Sequence, residues 1–465
     1  MTAADLGAAA ACRYPGIQTV EARCLGVTHS SRRREDVLDV AGRLVGDCSI
    51  MPGVYIQDKI AQMREAPSLT LSQRYQRLDQ AARLYMEATL AGLGPQEYVA
   101  LVTGTTGLPR AIVEASLASI SHGLSSMREI LRAATPAGAV WESGDPAAES
   151  GCSLFSRRAE VLSVIAAGNG PGVHGLWPQA IAMGYRTLVR PSSREPFTAQ
   201  RLVGALESAG LSDYVALVPT DHGGAETLIA QSDLAIVYGG PEMAARYAGD
   251  ARVLVQGPGR SKLVVGRDVG HGEALGVVVR SVLGRGGAAC VSASAVLVED
   301  DPEGFANKLR KELAHAAPRQ SLRFAREQEA AAYEDLLKSD DVPWVHDRAA
   351  AFGAPLMPHV ALVRSAADPK VQRELPFPCV TVAPFDPREA YAALSGSLVV
   401  TVLSRQRDLI DRVLADASIS NVYVGDIPTT WMDYRVPHDG YLADFLMCNR
   451  GVRVDAQWLA ATPAG

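Results

Sequence analysis

The sequence predicts an α/β fold built as more than one domain, and three observations carry that expectation. The chain has 465 residues, more than one ordinary hydrophobic core serves. Short apolar runs recur from residue 161: VLSVIAA (161–167), TLVRP (187–191), YVALVP (214–219), LAIVYGG (234–240), VLVQ (253–256) and LVVG (263–266). Helical spacings lie between them, as in Ala199, Leu202, Val203 and Leu206 before Gly210. Apolar strands alternating with amphipathic helices are the pattern of βαβ units and a parallel sheet covered on both faces.

Residues 33–134 read as mainly helical. Apolar residues recur at three- and four-residue steps from Leu71 to Leu93, and again from Pro109 to Ala134, with Pro109 suited to a helix start. Arg32-Arg33-Arg34 reads as a solvated face. The stretch PAGAVWESGDPAAESG (136–151), rich in Pro, Gly and acid, reads as a loop, hairpin or arm. In the apolar-run region, Gly168-Asn169-Gly170, Arg190-Pro191-Ser192 and Gly239-Gly240 fall at strand ends, where parallel sheets bind ligands. A second α/β region starts near Gly259. It holds a strand at 293–300, helices near 302–316 and 321–338, and a strand at 397–404. The segment TGTTGLPR (103–110) is similar to the phosphate loop of acyl-adenylating enzymes. It also joins two helical stretches, where TTG-LP is an ordinary stop and start, and that is the reading preferred.

A net charge of −6 and a pI near 5.9 offer no strong positive field for nucleic acid or an anionic membrane. No apolar run reaches the length of a bilayer span. The alanine-rich start, MTAADLGAAAACRYPG, lacks the basic region and hydrophobicity of a signal peptide, so a cytoplasmic location is expected. Seven cysteines, at 12, 24, 48, 152, 290, 379 and 448, include no CxxC pair. They read as reduced thiols, with no disulfide framework and no metal site.

One cysteine stands out. Cys290 follows Gly286-Gly287-Ala288-Ala289, a run of small residues that lets substrate and cofactor approach. A thiol is a good nucleophile once ionised, although most cysteines are structural. Asn169, between two glycines, suits either an amide donor to an oxyanion or a strand-to-helix turn.

From 161 to 299 the motifs fall in one order: VIAAGNGP, AMGYRTLVRPSSREPFTA, IVYGGPEMA, VLVQGPGRSKLVV and GRGGAACVSASAVLV. This succession resembles the aldehyde dehydrogenase superfamily, well over about Val161 to Val382 and weakly over 1–150. The resemblance implies a Rossmann-type cofactor domain (1–258, with an arm near 136–160), an α/β catalytic domain (259–445) and a C-terminal segment (446–465) used in oligomerisation. It implies Cys290 as the nucleophile and Asn169 as the oxyanion donor, helped by the Cys290 backbone N–H. Cofactor contacts would come from Arg190, Ser192, Ser193, Gly239, Gly240, Gln256, Glu374 and Phe377, with Glu374 holding the nicotinamide ribose and Phe377 packing near the nicotinamide.

Two departures from the family pattern refine the expectation. Gln256 stands where hydrolytic members carry a glutamate that activates water, and an amide has no useful basicity. Members lacking that glutamate usually pass the acyl group to or from a thiol such as coenzyme A. At the adenosine ribose, Arg190 replaces a lysine, Ser193 replaces the acidic residue that often selects NAD, and Arg194 is adjacent. Removing a carboxylate and adding guanidinium groups favours NADP(H) over NAD(H). The expected reaction is therefore NADPH-dependent reduction of an acyl thioester to an aldehyde, with coenzyme A as product or cosubstrate. The alternative is NAD(P)-dependent oxidation of an aldehyde to its acid, with another residue as base. The C-terminal stretch IPTTWMDYRVPHDGYLADFLM looks more like fatty acyl-CoA reductases of the bacterial bioluminescence type; His438 in it reads as structural or substrate-contacting. The expected partners are an acyl thioester or aldehyde and further copies of the same chain.

Overall fold

The computed structural model describes residues 16–317, 322–344, 353–387 and 390–460. Near the N-terminus, β1 (Gln18–Val20), β4 (Arg34–Leu38) and β5 (Leu44–Ser49) form a small sheet in the order β1-β5-β4. The hairpin β2 (Ala22–Cys24) and β3 (Val27–His29) pairs elsewhere. Residues 34–49 are thus strands, not part of a helical region. Only from Gly53 does the chain become helical, with helices at Gly53–Glu65, Leu71–Glu87, Pro95–Thr106, Arg110–Ser125 and Met127–Ala134. The TTG-LP segment is a helix stop and start: Gly107 (φ 70°) caps one helix and Arg110 begins the next.

The short β6 (Ala139–Val140) and β7 (Cys152–Arg157) follow. Then come the apolar runs, as β8 (Val161–Ile165), β9 (Arg186–Arg190), β10 (Val215–Leu217), β11 (Leu234–Tyr238) and β12 (Val253–Gln256). They form one seven-stranded sheet in the order β12-β11-β8-β9-β10-β2-β3. The five are mutually parallel; β2 adds an antiparallel edge against β10. Side chains alternate between the faces of a strand. Leu162, Val164, Val189 and Val215 pack with the helices Leu71–Glu87, Pro178–Met183 and Phe197–Ser208. Val161, Leu188 and Ala216 pack against Ile56, Ile60, Met63 and Leu228 on the other face. The chain goes β8 to β9 to β10 in one direction and β11 to β12 in the other. The order therefore reverses between β8 and β11, and a crevice opens beyond their carboxyl ends.

A second, six-stranded parallel sheet, in the order β17-β18-β14-β13-β19-β20, contains β13 (Ser261–Val265), β14 (Ala293–Val298), β17 (His359–Leu362), β18 (Cys379–Pro384), β19 (Val399–Leu403) and β20 (Asn421–Val424). Helices His271–Leu283 and Pro302–Ala316 cover one face and Arg407–Ala415 the other. The two-stranded β15 (Phe324–Ala325) and β16 (Ala354–Pro355) lie beside the helix Glu327–Leu337. The last strand, β21 (Met447–Val452), returns to pair with β7, so residues 139–157 and 447–452 share one sheet. Among the described residues no helix is long and apolar enough to cross a membrane, and no three His, Cys, Asp or Glu side chains group as metal ligands.

Candidate active site

The two large sheets are joined by the turn from Gln256, the last residue of β12, to Ser261, the first of β13. That turn runs directly beneath the Cys290 loop. A Cβ built on Gly259 would lie 2.0 Å from the Cys290 carbonyl oxygen, so only glycine permits the approach. The Ser261 hydroxyl donates to the same oxygen at 2.7 Å. Beneath the turn, Lys262 is fully buried; its Nζ donates to the Arg260 carbonyl (2.7 Å), Gln372 (3.1 Å) and Ser397 (2.9 Å). Burial and the like charge of Arg260 lower its pKa to about 7.

Asn169 follows β8 at the reversal point of the first sheet. Its Nδ2 donates to the Ala288 carbonyl at 3.1 Å, two residues before Cys290. Its Oδ1 is buried and has no partner among the described residues. The amide therefore faces the Cys290 loop from the end of the first sheet.

The Cys290 thiol is half-buried. Its Sγ lies 3.6 Å from His438 Nε2. Burial, then the Glu374 carboxylate, pushes the thiol up to about 12, against backbone N–H groups that favour the thiolate. Burial lowers the His438 pKa, with Asp439 opposing and Arg285 assisting, so the ring is neutral at neutral pH and ready to accept a proton. Asn421 of β20 fixes this histidine by donating to its carbonyl and to that of Leu398. His438, read from the sequence as structural or substrate-contacting, here contacts the Cys290 thiol. Tyr238 also escaped the sequence reading. Its buried hydroxyl has no partner among the described residues, and burial, then the charge of a Cys290 thiolate, raises its pKa.

Glu374 follows β17 by way of a loop and turns its carboxylate to the joining turn, accepting from the Gly259 N–H at 3.0 Å. Burial raises its pKa, opposed by backbone N–H groups of Arg260 and Gly259. Its neighbour Arg373 is anchored on the buried Asp340 (3.0 and 2.6 Å). Phe377 differs from expectation. Its ring is 1% exposed and packs on Tyr333 and Trp344 at centroid distances of 5.4 and 5.2 Å. An apolar ring gains more from that aromatic cluster than from a wet cleft, so it supports the loop from behind.

At the other end of the crevice, Arg190 closes β9 and Ser193 follows. Both line a cavity of about 320 Å³ together with Arg33, Arg34, Glu35, Ile50, Asp221 and His222. Arg190 Nε donates to the Thr220 carbonyl at 3.2 Å; its terminal nitrogens make no hydrogen bond or ion pair to a described residue. Ser192 lies against Gly168, where a Cβ would come within 2.3 Å of its hydroxyl. Arg194 is not available to a phosphate: it forms a bidentate pair with Glu329 at 2.9 and 3.0 Å. Gly239 donates to the Gln256 carbonyl at 3.2 Å, and Gly240 precedes a short helix, Pro241–Arg246. Gln256, half-buried, sits at the carboxyl end of β12 beside this turn. The reversal point, the glycine cradle and the unpartnered Arg190 nitrogens fit a dinucleotide lying along the strand ends.

The aldehyde dehydrogenase family model matches residues 56–332, more than half of the chain. The chain belongs to the aldehyde dehydrogenase family. An aldehyde-dehydrogenase-like protein of Sinorhizobium fredii, y4uC, is 30% identical over 139 residues, 28% of this chain and 27% of that protein. Malonate-semialdehyde dehydrogenase 2 of Bacillus mycoides is 27% identical over 146 residues, 30% of each. The alignments thus span less than a third of these curated relatives. Across the whole fold, a 1-pyrroline-5-carboxylate dehydrogenase from Thermus, solved with bound NAD, superposes with a TM-score of 0.77 over 96% of this chain and 95% of that one, at 17% identity.

Proposed function

We propose that the protein is an NAD(P)-dependent aldehyde dehydrogenase that oxidises an aldehyde through an acyl group carried on Cys290. The observation that supports this most is the Cys290–His438 contact at 3.6 Å. It supplies a base within reach of the nucleophile although position 256 is a glutamine. The Cys290 proton passes to His438 Nε2 as Sγ attacks the aldehyde carbonyl. Asn169 Nδ2 stabilises the developing oxyanion, a service typically worth about 10²–10³ in rate. A bound nicotinamide dinucleotide supplies the hydride acceptor. Once the thioester has formed on Cys290, His438 releases the first proton to solvent and is neutral again. Water then attacks the thioester and gives its proton to His438; the acid departs, and the leaving thiolate takes that proton back from His438 to restore the thiol.

The Arg190–Ser193 cavity favours NADP(H) within this reading. The division at residues 258 and 259 into cofactor and catalytic domains, and a homo-oligomer built through the β6-β7-β21 sheet, belong to the same proposal.

A second reading keeps its own support. Gln256 offers the acyl-enzyme a hydrogen bond but no proton acceptor, which favours transfer to or from coenzyme A and, in reverse, reduction of an acyl thioester by NADPH. Aldehyde oxidation with and without coenzyme A, with acid and thioester quantified separately, tests the two. Multiple-turnover acid formation independent of coenzyme A is expected. Turnover only with coenzyme A, yielding thioester, would replace the first reading by the second.

A further inference from the structure

We infer that Arg33, from the N-terminal segment before β4, binds the 2′-phosphate of the adenosine ribose and decides the enzyme's choice of dinucleotide. This assignment rests on the NADP(H) reading above and names a residue for it outside the parallel sheet. The cavity of about 320 Å³ is lined by Arg190 and Ser193 at the carboxyl end of β9, by Asp221 and His222 beyond β10, and by Arg33 from the segment before β4. Three guanidinium groups and His222 meet two carboxylates there, Glu35 and Asp221.

The three arginines are not equivalent. Arg34 is committed to Glu21 and Asp47 at 2.9 and 2.7 Å. Arg190 is held through Nε and presents its terminal nitrogens. Arg33 is held only by Asp221, through one 2.6 Å contact whose partners are 69% and 37% exposed. An ion pair so exposed contributes little, so Arg33 can exchange it for a phosphate dianion at small cost. A guanidinium suits that exchange because its fork matches phosphate oxygens. Ser193 adds a small hydroxyl and no opposing charge. Arg194, the alternative second arginine, is already paired with Glu329. NAD(H), with a neutral 2′-hydroxyl, offers Arg33 nothing in exchange for Asp221.

The test is the affinity of the full-length protein for NADPH, NADH and 2′,5′-ADP, measured by calorimetry for wild type, Arg33→Ala and Arg33→Lys. Wild type should bind NADPH more tightly than NADH. Arg33→Ala should lose about tenfold or more for NADPH and 2′,5′-ADP, the scale of one charge-assisted contact, with NADH unchanged. Arg33→Lys should keep part of the preference. If wild type prefers NADPH and Arg33→Ala keeps the full ratio, the assignment of Arg33 is overturned while the NADP(H) reading stands. A wild type that binds NADH as tightly as NADPH overturns both. An equal loss for both dinucleotides returns Arg33 to a structural ion pair and overturns the assignment.

Discussion

Cys290 sits where its own thiolate is disfavoured: burial and the nearby Glu374 carboxylate push the thiol up to about 12. An unaided thiol would be almost wholly protonated at neutral pH, so the proton needs an acceptor in contact. In the proposed reaction His438, 3.6 Å away, is that acceptor, and its lowered pKa keeps it neutral. The pH dependence follows in sign. In wild type, kcat/KM should hold level through neutral pH and fall only when pH drops below the ordinary histidine value of 6.5, as the imidazole takes up a proton. In His438→Ala the rate at pH 7 should drop by about 10²–10⁴, the usual worth of a general base. It should then climb with pH as the thiolate fraction grows. A level profile in His438→Ala would contradict the pairing. That Asn169 lies against the Cys290 loop was legible in the sequence, because each occupies a set place in the βαβ succession. His438 was not, because it stands 148 residues from Cys290 and no spacing rule relates them. Phe377 misled for a related reason: a sequence match places its backbone, while the direction of its ring depends on Tyr333 and Trp344 across the loop.

At the scale of elements, the parallel strands were legible because fully buried strands read as continuous apolar runs. The N-terminal strands were not. β4 is REDVL with its first three residues exposed, and a charged strand carries no apolar alternation to separate it from a helix face. The reading of Arg33 as a solvated face holds, with its side chain 69% exposed; what the missed strand concealed is that this exposed arginine borders the same cavity as Arg190. The turn from Gln256 to Ser261 is the element on which the candidate site depends, because it carries one sheet into the other under Cys290. Gly259→Ala would push a methyl group to 2.0 Å from the Cys290 carbonyl oxygen, so either the turn or the Cys290 loop must move. Displacement of a reacting group by about 1 Å costs on the order of 10²-fold in rate. We expect kcat/KM of Gly259→Ala to fall by about that factor, with secondary structure by circular dichroism retained. Wild-type kinetics in this variant would show that the close approach is not needed.

Across the whole molecule, the candidate site is divided between two large sheets that the joining turn connects. The first sheet contributes Asn169, Arg190 and the glycine turns at its strand ends; the second contributes Cys290, Glu374 and, beyond β20, His438. Neither sheet alone holds all the groups that the proposed reaction uses, which is why the order of motifs from 161 to 299 was informative where any single motif was weak. The account stands on a covalent acyl group at Cys290, and intact-protein mass spectrometry after rapid acid quench measures it directly. Wild type mixed with an aldehyde and excess NADP⁺ should gain the mass of one acyl group, located on the peptide that contains Cys290, and Cys290→Ser should gain none. Full turnover by Cys290→Ala, or an acyl group found on another residue, would contradict the account.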